Sequence, residues 1–179
     1  MRTRLNAKAR NWLVVGGLML LMSMASVSDI QAQYLSQEEI SCLTYIREEE
    51  KLARDVYLYF GEMWGSRIFT NIAGSEQTHM DAIKKLLEKY GIADPAADTE
   101  VGEFINQELQ ALYDELIETG SRSVVDALNV GGLIEETDIS DLQAASAVST
   151  HKDIVKVYNN LLAGSLNHLA AFNSELEQL

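Results

Sequence analysis

From Ser36 onward the apolar positions of the chain recur every three or four residues, through Ile40, Leu43, Ile46, Ala53, Val56 and Tyr57 to about Trp64, where Gly65 interrupts. Ser36 followed by Glu39 has the form of a capping box, in which the serine oxygen accepts an orphan backbone N–H and the glutamate reaches back, so a long helix is expected to start there. After Ser66 the same period resumes through Phe69, Ile72, Ala73, Met80, Ile83, Leu86, Leu87 and Tyr90, and Gly91 supplies a stop. The short link makes these two helices an antiparallel hairpin. Between Ile92 and Glu103 the pattern breaks up around Asp94-Pro95. Phe104, Leu109, Leu112, Tyr113, Leu116 and Ile117 then give a shorter helix ending at Gly120, inside a connection long enough to cross the molecule. A second long pair follows, from Ser121 to about Ala147 and from Thr150 to near the C-terminus, the latter opened by Thr150 with Asp153 three residues on. The expected architecture is all-α: an antiparallel four-helix bundle with a long crossover connection containing a short extra helix.

Composition agrees with that pattern and narrows the function. The 179 residues suit one domain with a real core, and a single proline favours helices over a turn-rich sheet. With 27 acidic against 14 basic side chains, net charge −13 and pI near 4.5, nucleic acid is excluded as a partner, because binding it needs clustered cations. The N-terminus carries a separate signal. Arg2, Arg4, Lys8 and Arg10 precede an apolar stretch from Trp12 to Met24, and Ala32 ends a stretch suited to signal peptidase, so residues 1–32 read as a signal peptide and residues 33–179 as the mature domain. Ala25 offers a second cleavage position. The apolar stretch is about 13 residues, short of the roughly 20 a membrane span needs, which makes an uncleaved anchor the weaker alternative. Export to the periplasm or beyond is expected, with no stable membrane span after cleavage. Cys42 is the sole cysteine, so an internal disulfide is excluded.

The informative residues are ionisable ones in phase with an apolar stripe. Glu50 lies four residues after Ile46 and seven before Tyr57, whereas Glu48 and Glu49 diverge from that face by about 100° per residue and are expected to be solvated. Glu76 and His79 are three apart and project from adjacent turns of one side. Glu135 and Asp138 repeat the spacing in phase with Ala127, Leu128, Gly131 and Leu142, with Glu136 as the fallback one step round. His168 is in phase with Tyr158, Leu161, Ser165 and Phe172. Each alone has a bland reading, since Glu-x-x-His is common in helices and a core imidazole is often simply hydrogen-bonded. Convergence from four helices is another matter: buried unpaired carboxylates are costly, and a pair of cations turns that cost into binding energy. Carboxylate and imidazole without thiolate suit iron or manganese, and zinc less specifically.

The stretch Glu50-Lys51-Leu52-Ala53-Arg54-Asp55-Val56-Tyr57, continuing to Tyr59-Phe60, resembles the first helix of rubrerythrin, and Ser75-Glu76-Gln77-Thr78-His79 resembles the second-helix motif of the same superfamily. Over residues 34 to 176 the chain resembles an uncharacterised prokaryotic domain-of-unknown-function family of the ferritin-like superfamily. The resemblance implies a ferritin-like bundle with a dinuclear centre ligated by Glu50, Glu76, His79, Glu135 and His168, and with Asp138 as an exchangeable carboxylate. It departs at the fourth long helix, where Ser165 stands three residues before His168 in place of the expected Glu. Asp138, a water, or a site holding one metal are the three ways to close that gap. The Cys₄ iron module of rubrerythrins is absent too, which removes internal electron delivery. The expected function is binding of two iron or manganese ions, iron favoured and zinc the outsider, for redox chemistry with peroxide or dioxygen. Tyr57 is the candidate catalytic residue, as a hydrogen-bond donor to a ligand carboxylate or as an electron donor. The alternatives are a non-catalytic metal-binding or metal-stabilised interaction module of the cell envelope and a metal-free helical bundle. A homodimer is expected on symmetry grounds.

Overall fold

The computed structural model describes residues 34–179, among which there are five α-helices and no strand: α1 (Gln37–Trp64), α2 (Arg67–Tyr90), α3 (Gln107–Gly120), α4 (Val124–Val148) and α5 (Lys152–Leu176). The signal peptide expected over residues 1–32 lies outside the described residues. No described helix is long and apolar enough to cross a membrane.

The local signals set most boundaries. Ser36 caps α1 by accepting from the Glu39 N–H, and the Glu39 carboxylate accepts from the Ser36 N–H, completing the capping box. Gly65 and Gly91 end α1 and α2 in the left-handed conformation, at φ 63° and 67°, where a side chain would be strained. Two starts differ from expectation. The cap of α4 is Ser123, whose hydroxyl accepts from the Asp126 N–H, two residues later than expected. Helix α5 begins at Lys152 with His151 in the cap position, because the N–H of Thr150 is drawn away to Glu39 Oε1 at 2.9 Å. A long-range acceptor thus displaces the local cap.

Neighbouring helices run in opposite directions. In the α1–α2 pair Glu50 meets His79 and Phe60 meets Phe69; in the α4–α5 pair Asp138 meets Ser165 and Gly131 lies under Phe172. The pairs face each other, α1 against α4 through Tyr57 and Glu135, and α2 against α5 through Ser75 and His168. The buried apolar residues fall into two clusters. One holds Val56, Phe60, Phe69, Leu128 and Phe172, the other Leu43, Ile46, Ile83, Leu142 and Leu161. Between them, at the same level on all four long helices, lies a layer of buried carboxylates and imidazoles.

Between Arg47 and Asp55 the outer side of α1 is covered. The connection between α2 and α3 packs over it and is held by α1 side chains. Arg47 pairs with Asp94, and the Lys51 ammonium, 1% exposed, pairs with Asp55 while donating to the carbonyls of Glu100 and Glu103. Asp55 accepts from the Gly102 N–H. Glu48, expected in solvent, is buried here and accepts from the N–H groups of Ile105 and Asn106. An irregular segment laid over a helix must find partners for its backbone donors, and the Glu48 carboxylate provides them.

Candidate metal centre

The long helices carry six ionisable residues into the layer between the apolar clusters: Glu50 on α1, Glu76 and His79 on α2, Glu135 and Asp138 on α4, and His168 on α5, each at most 8% exposed. Spacings of three on α2 and α4 stack the paired side chains on adjacent turns of one face. His79 Nδ1 lies 3.1 Å from Glu50 Oε2 and 2.8 Å from Glu76 Oε2. His168 Nδ1 lies 2.7 Å from Glu76 Oε1 and 3.5 Å from Glu135 Oε2. Two triads result, Glu50–Glu76–His79 and Glu76–Glu135–His168, each with its donor atoms within 4.8 Å of one another. They share Glu76, one oxygen toward each imidazole.

Several of these donors lack hydrogen-bond partners although they are fully buried: Glu50 Oε1, Glu76 Oε1, Asp138 Oδ1 and His168 Nδ1. His168 Nδ1 and Glu76 Oε1 approach closely without aligning as donor and acceptor. Buried polar atoms are normally satisfied, so unpartnered donors converging in one place mark a candidate cation site. The donor set is oxygen and imidazole nitrogen, which fits iron or manganese.

Around the donors, other groups fix orientation. Tyr57 OH donates to Glu135 Oε1 at 2.7 Å, which leaves Oε2 facing His168. Ser75 Oγ lies 2.9 Å from His168 Nε2, so the far ring nitrogen is held while Nδ1 points inward. The two imidazoles stack at 5.5 Å, and a Cβ at Gly164 would stand 2.5 Å from His79 Nε2. Only glycine leaves room for that ring. Ser165, in place of the expected carboxylate, lies 2.5 Å from Asp138 Oδ2, so a carboxylate from α4 stands beside the position that α5 leaves without one. Glu136, the fallback, is exposed.

The electrostatics reflect crowding of like charge. Burial, then Asp138 and Glu76, push the Glu50 carboxyl well above the usual carboxylate range. Burial also raises Asp138, against the Ser165 contact that lowers it, to about 7. For Glu76 burial is outweighed by His168 and His79, which hold its carboxyl down to about 2. Burial disfavours the His168 imidazolium, but Glu135 and Glu76 prevail and raise it to about 10.

Three contributors were not singled out from the sequence. Ser75 and Gly164 act through the shape of the neighbouring helix, although Gly164 does lie four residues before His168, a spacing that marks the same face. Glu49, expected in solvent, is 5% exposed, with Oε2 unpartnered and its carboxyl in contact with Asp141. Helix α4 covers it, which the period of α1 alone does not reveal. Glu49 also lines a cleft of about 270 Å³ between α1, α3 and α4, otherwise walled mainly by Leu52, Leu112, Leu116, Leu133 and Ile134.

Residues 39–179, spanning the centre and all but the first two residues of α1, match a family described as "Uncharacterized protein domain (DUF2202)". The uncharacterized protein MJ0754 of Methanocaldococcus jannaschii is 51% identical over 146 residues, which are 82% of this chain and 79% of that protein. The crystal structure described as hypothetical protein MJ0754 from Methanococcus jannaschii DSM 2661 is similar with a TM-score of 0.79 at 51% identity, covering 80% of this chain and 82% of that one.

Proposed function

The chain belongs to the DUF2202 family of uncharacterized domains, and from that premise we propose that it is an exported ferritin-like four-helix bundle, α3 lying in its crossover, that binds two iron or manganese ions. The observation that carries this reading is the pair of buried triads sharing Glu76, with unpartnered donor atoms converging from four helices. Glu50, Glu76 and His79 would hold one ion, and Glu76, Glu135 and His168 the other. Bound there, the metals supply one-electron redox chemistry toward peroxide or dioxygen.

The protein's own contribution is to position the donors and to manage charge. Tyr57 fixes the Glu135 carboxylate and keeps a proton at its phenol oxygen, since burial first and Glu135 next push that phenol well above its ordinary range. Ser75 fixes the His168 ring so that Nδ1 is the ligating nitrogen. Asp138, with Oδ1 unpartnered, is a reserve carboxylate at the α5 position occupied by Ser165.

Elemental analysis after aerobic iron loading and desalting tests the reading, with Glu76→Ala and His168→Ala alongside. Two irons per chain are expected, with both weakened in Glu76→Ala and one in His168→Ala. Iron content that neither substitution changes would overturn the assignment. Ser165 in place of a carboxylate favours the second reading, a metal-stabilised module without turnover, and full iron content with no peroxide consumption would select it.

A further inference from the structure

Cys42 is the sole cysteine, so the chain builds no thiolate iron cluster of its own and electrons for the centre come from outside. One line of aromatic rings leads outward. It starts at Tyr57, whose OH lies 2.7 Å from Glu135 Oε1. The Tyr57 ring is 6.3 Å, centroid to centroid, from Phe69; Phe69 is 5.7 Å from Phe60, and Phe60 meets Tyr59 edge-on at 5.6 Å. Phe172, 5.2 Å from Tyr57 and 5.6 Å from Phe69, gives a parallel first step. These are the spacings of rings in direct contact. Tyr57, Phe69, Phe172 and Phe60 are fully buried, whereas Tyr59 is 39% exposed. A Cβ at Gly120 would collide with the Phe60 ring, so the end of α3 closes over it.

At its outer end the line opens into a cleft of about 520 Å³ lined by Leu58, Tyr59, Glu62, Thr70, Val101 and Tyr113. That volume lies within the range of small-molecule sites, and apolar walls with a few polar groups are their usual lining. Leu58 and Val101 are apolar yet 42% and 58% exposed. Two phenol rings beside aliphatic walls fit a flat, uncharged aromatic molecule, and Glu62 and Thr70 supply hydrogen-bonding groups for hydroxyls on it.

We propose that this cleft is the electron-donor site of the protein: it takes a small phenolic reductant of the hydroquinone class, and Tyr59 and Tyr57, bridged by Phe60 and Phe69, carry its electrons to the metal centre. This rests on the two-metal reading and deepens it by naming the reductant. One hydroquinone loses two electrons and the protons of its two O–H bonds and leaves as quinone. One hydrogen peroxide takes up both, its O–O bond breaks, and two waters form. The electrons pass singly. Each tyrosine gives one electron inward and regains one from outside; Tyr57 shifts its phenol proton along the bond to Glu135 and back, and Tyr59 exchanges its proton with solvent. Phenylalanine is too hard to oxidise to hold the vacancy, so Phe60 and Phe69 couple the tyrosines without being oxidised themselves.

Two measurements test the site. Anaerobic titration of the metal-free protein with hydroquinone, followed by saturation-transfer nuclear magnetic resonance, is expected to saturate and to lose its signal in Leu58→Glu, a change at an exposed wall of the cleft; helical circular dichroism checks that the variant folds. The iron-loaded protein is then mixed with hydrogen peroxide alone and freeze-quenched. Electron paramagnetic resonance is expected to show a tyrosyl radical whose hyperfine pattern changes in Tyr59→Phe, as the radical is confined to Tyr57. With hydroquinone added, quinone formation in that variant is expected to fall about tenfold or more at unchanged iron content. Hydroquinone that does not bind, or a radical pattern and quinone rate that Tyr59→Phe leaves unchanged, would overturn the proposal. If elemental analysis finds no iron in the unsubstituted protein, the two-metal reading fails and the relay falls with it, while saturable binding that Leu58→Glu abolishes still establishes the cleft as a phenol site.

Discussion

Gly164 shows how a single atom bears on the centre. An added Cβ would lie 2.5 Å from His79 Nε2, and the ring cannot yield freely because Nδ1 is placed between Glu50 and Glu76 and its face stacks on His168. Two effects compete in Gly164→Ala. Helix propensity favours alanine by about 1 kcal/mol, while overpacking a tight site costs roughly 1–3 kcal/mol. The overpacking is expected to win, with a net loss of stability and metal affinity lowered about 10- to 100-fold by the misplaced ligand, measured by thermal melting and chelator competition. A variant both more stable and equally avid would show that the ring has room. The ligand candidates themselves were legible in the sequence, since Glu50, Glu76, His79, Glu135, Asp138 and His168 each interrupt an apolar stripe in phase with it. Glu48 and Glu49 were not, because what buries them is the α2–α3 connection and α4, and the period of α1 carries no information about either.

At the level of elements, Glu39 links the start of α1 to the turn between α4 and α5. Its carboxylate takes the Ser36 and Thr150 N–H groups, the Ser149 hydroxyl and, at 2.7 Å, His151 Nδ1. Burial acts to raise its pKa, but these partners prevail, His151 foremost, and lower it from 4.5 to about 2. A carboxyl depressed in the folded state gives stability that is present above its unfolded value and is lost as pH falls through the folded one. The melting temperature is therefore expected to drop between pH 4.5 and about 2 with a contribution that Glu39→Gln removes. At neutral pH that variant should be less stable by about 2 kcal/mol, the scale for a charged hydrogen-bonded group. Parallel melting profiles for the two proteins down to acid pH would refute the assignment. The local half of this device, the capping box, was readable from Ser36 and Glu39. Its long-range half was not, and it also explains why Thr150 fails to cap α5.

Across the whole molecule, the polar layer divides the apolar core in two, so the metal-free fold carries its largest electrostatic cost at its centre. Ions bound only by the folded state stabilise it by about 2.7 kcal/mol per site at a hundredfold excess over Kd. For a domain of this size that corresponds to a rise in melting temperature of roughly 5–10 °C per site. Calorimetry with Mn²⁺ and then with excess chelator is expected to show the rise and its reversal; a melting temperature indifferent to both would mean that the layer is not a metal site. The segment over α1 has a different consequence. For one copy to lend α3, α4 and α5 together to another, the connection between α2 and α3 would swing open as a hinge. That connection is tied down by Arg47, Glu48, Lys51 and Asp55, with the Lys51 charge buried and bonded to two of its carbonyls. The chain thus carries a barrier to domain swapping at its longest connection.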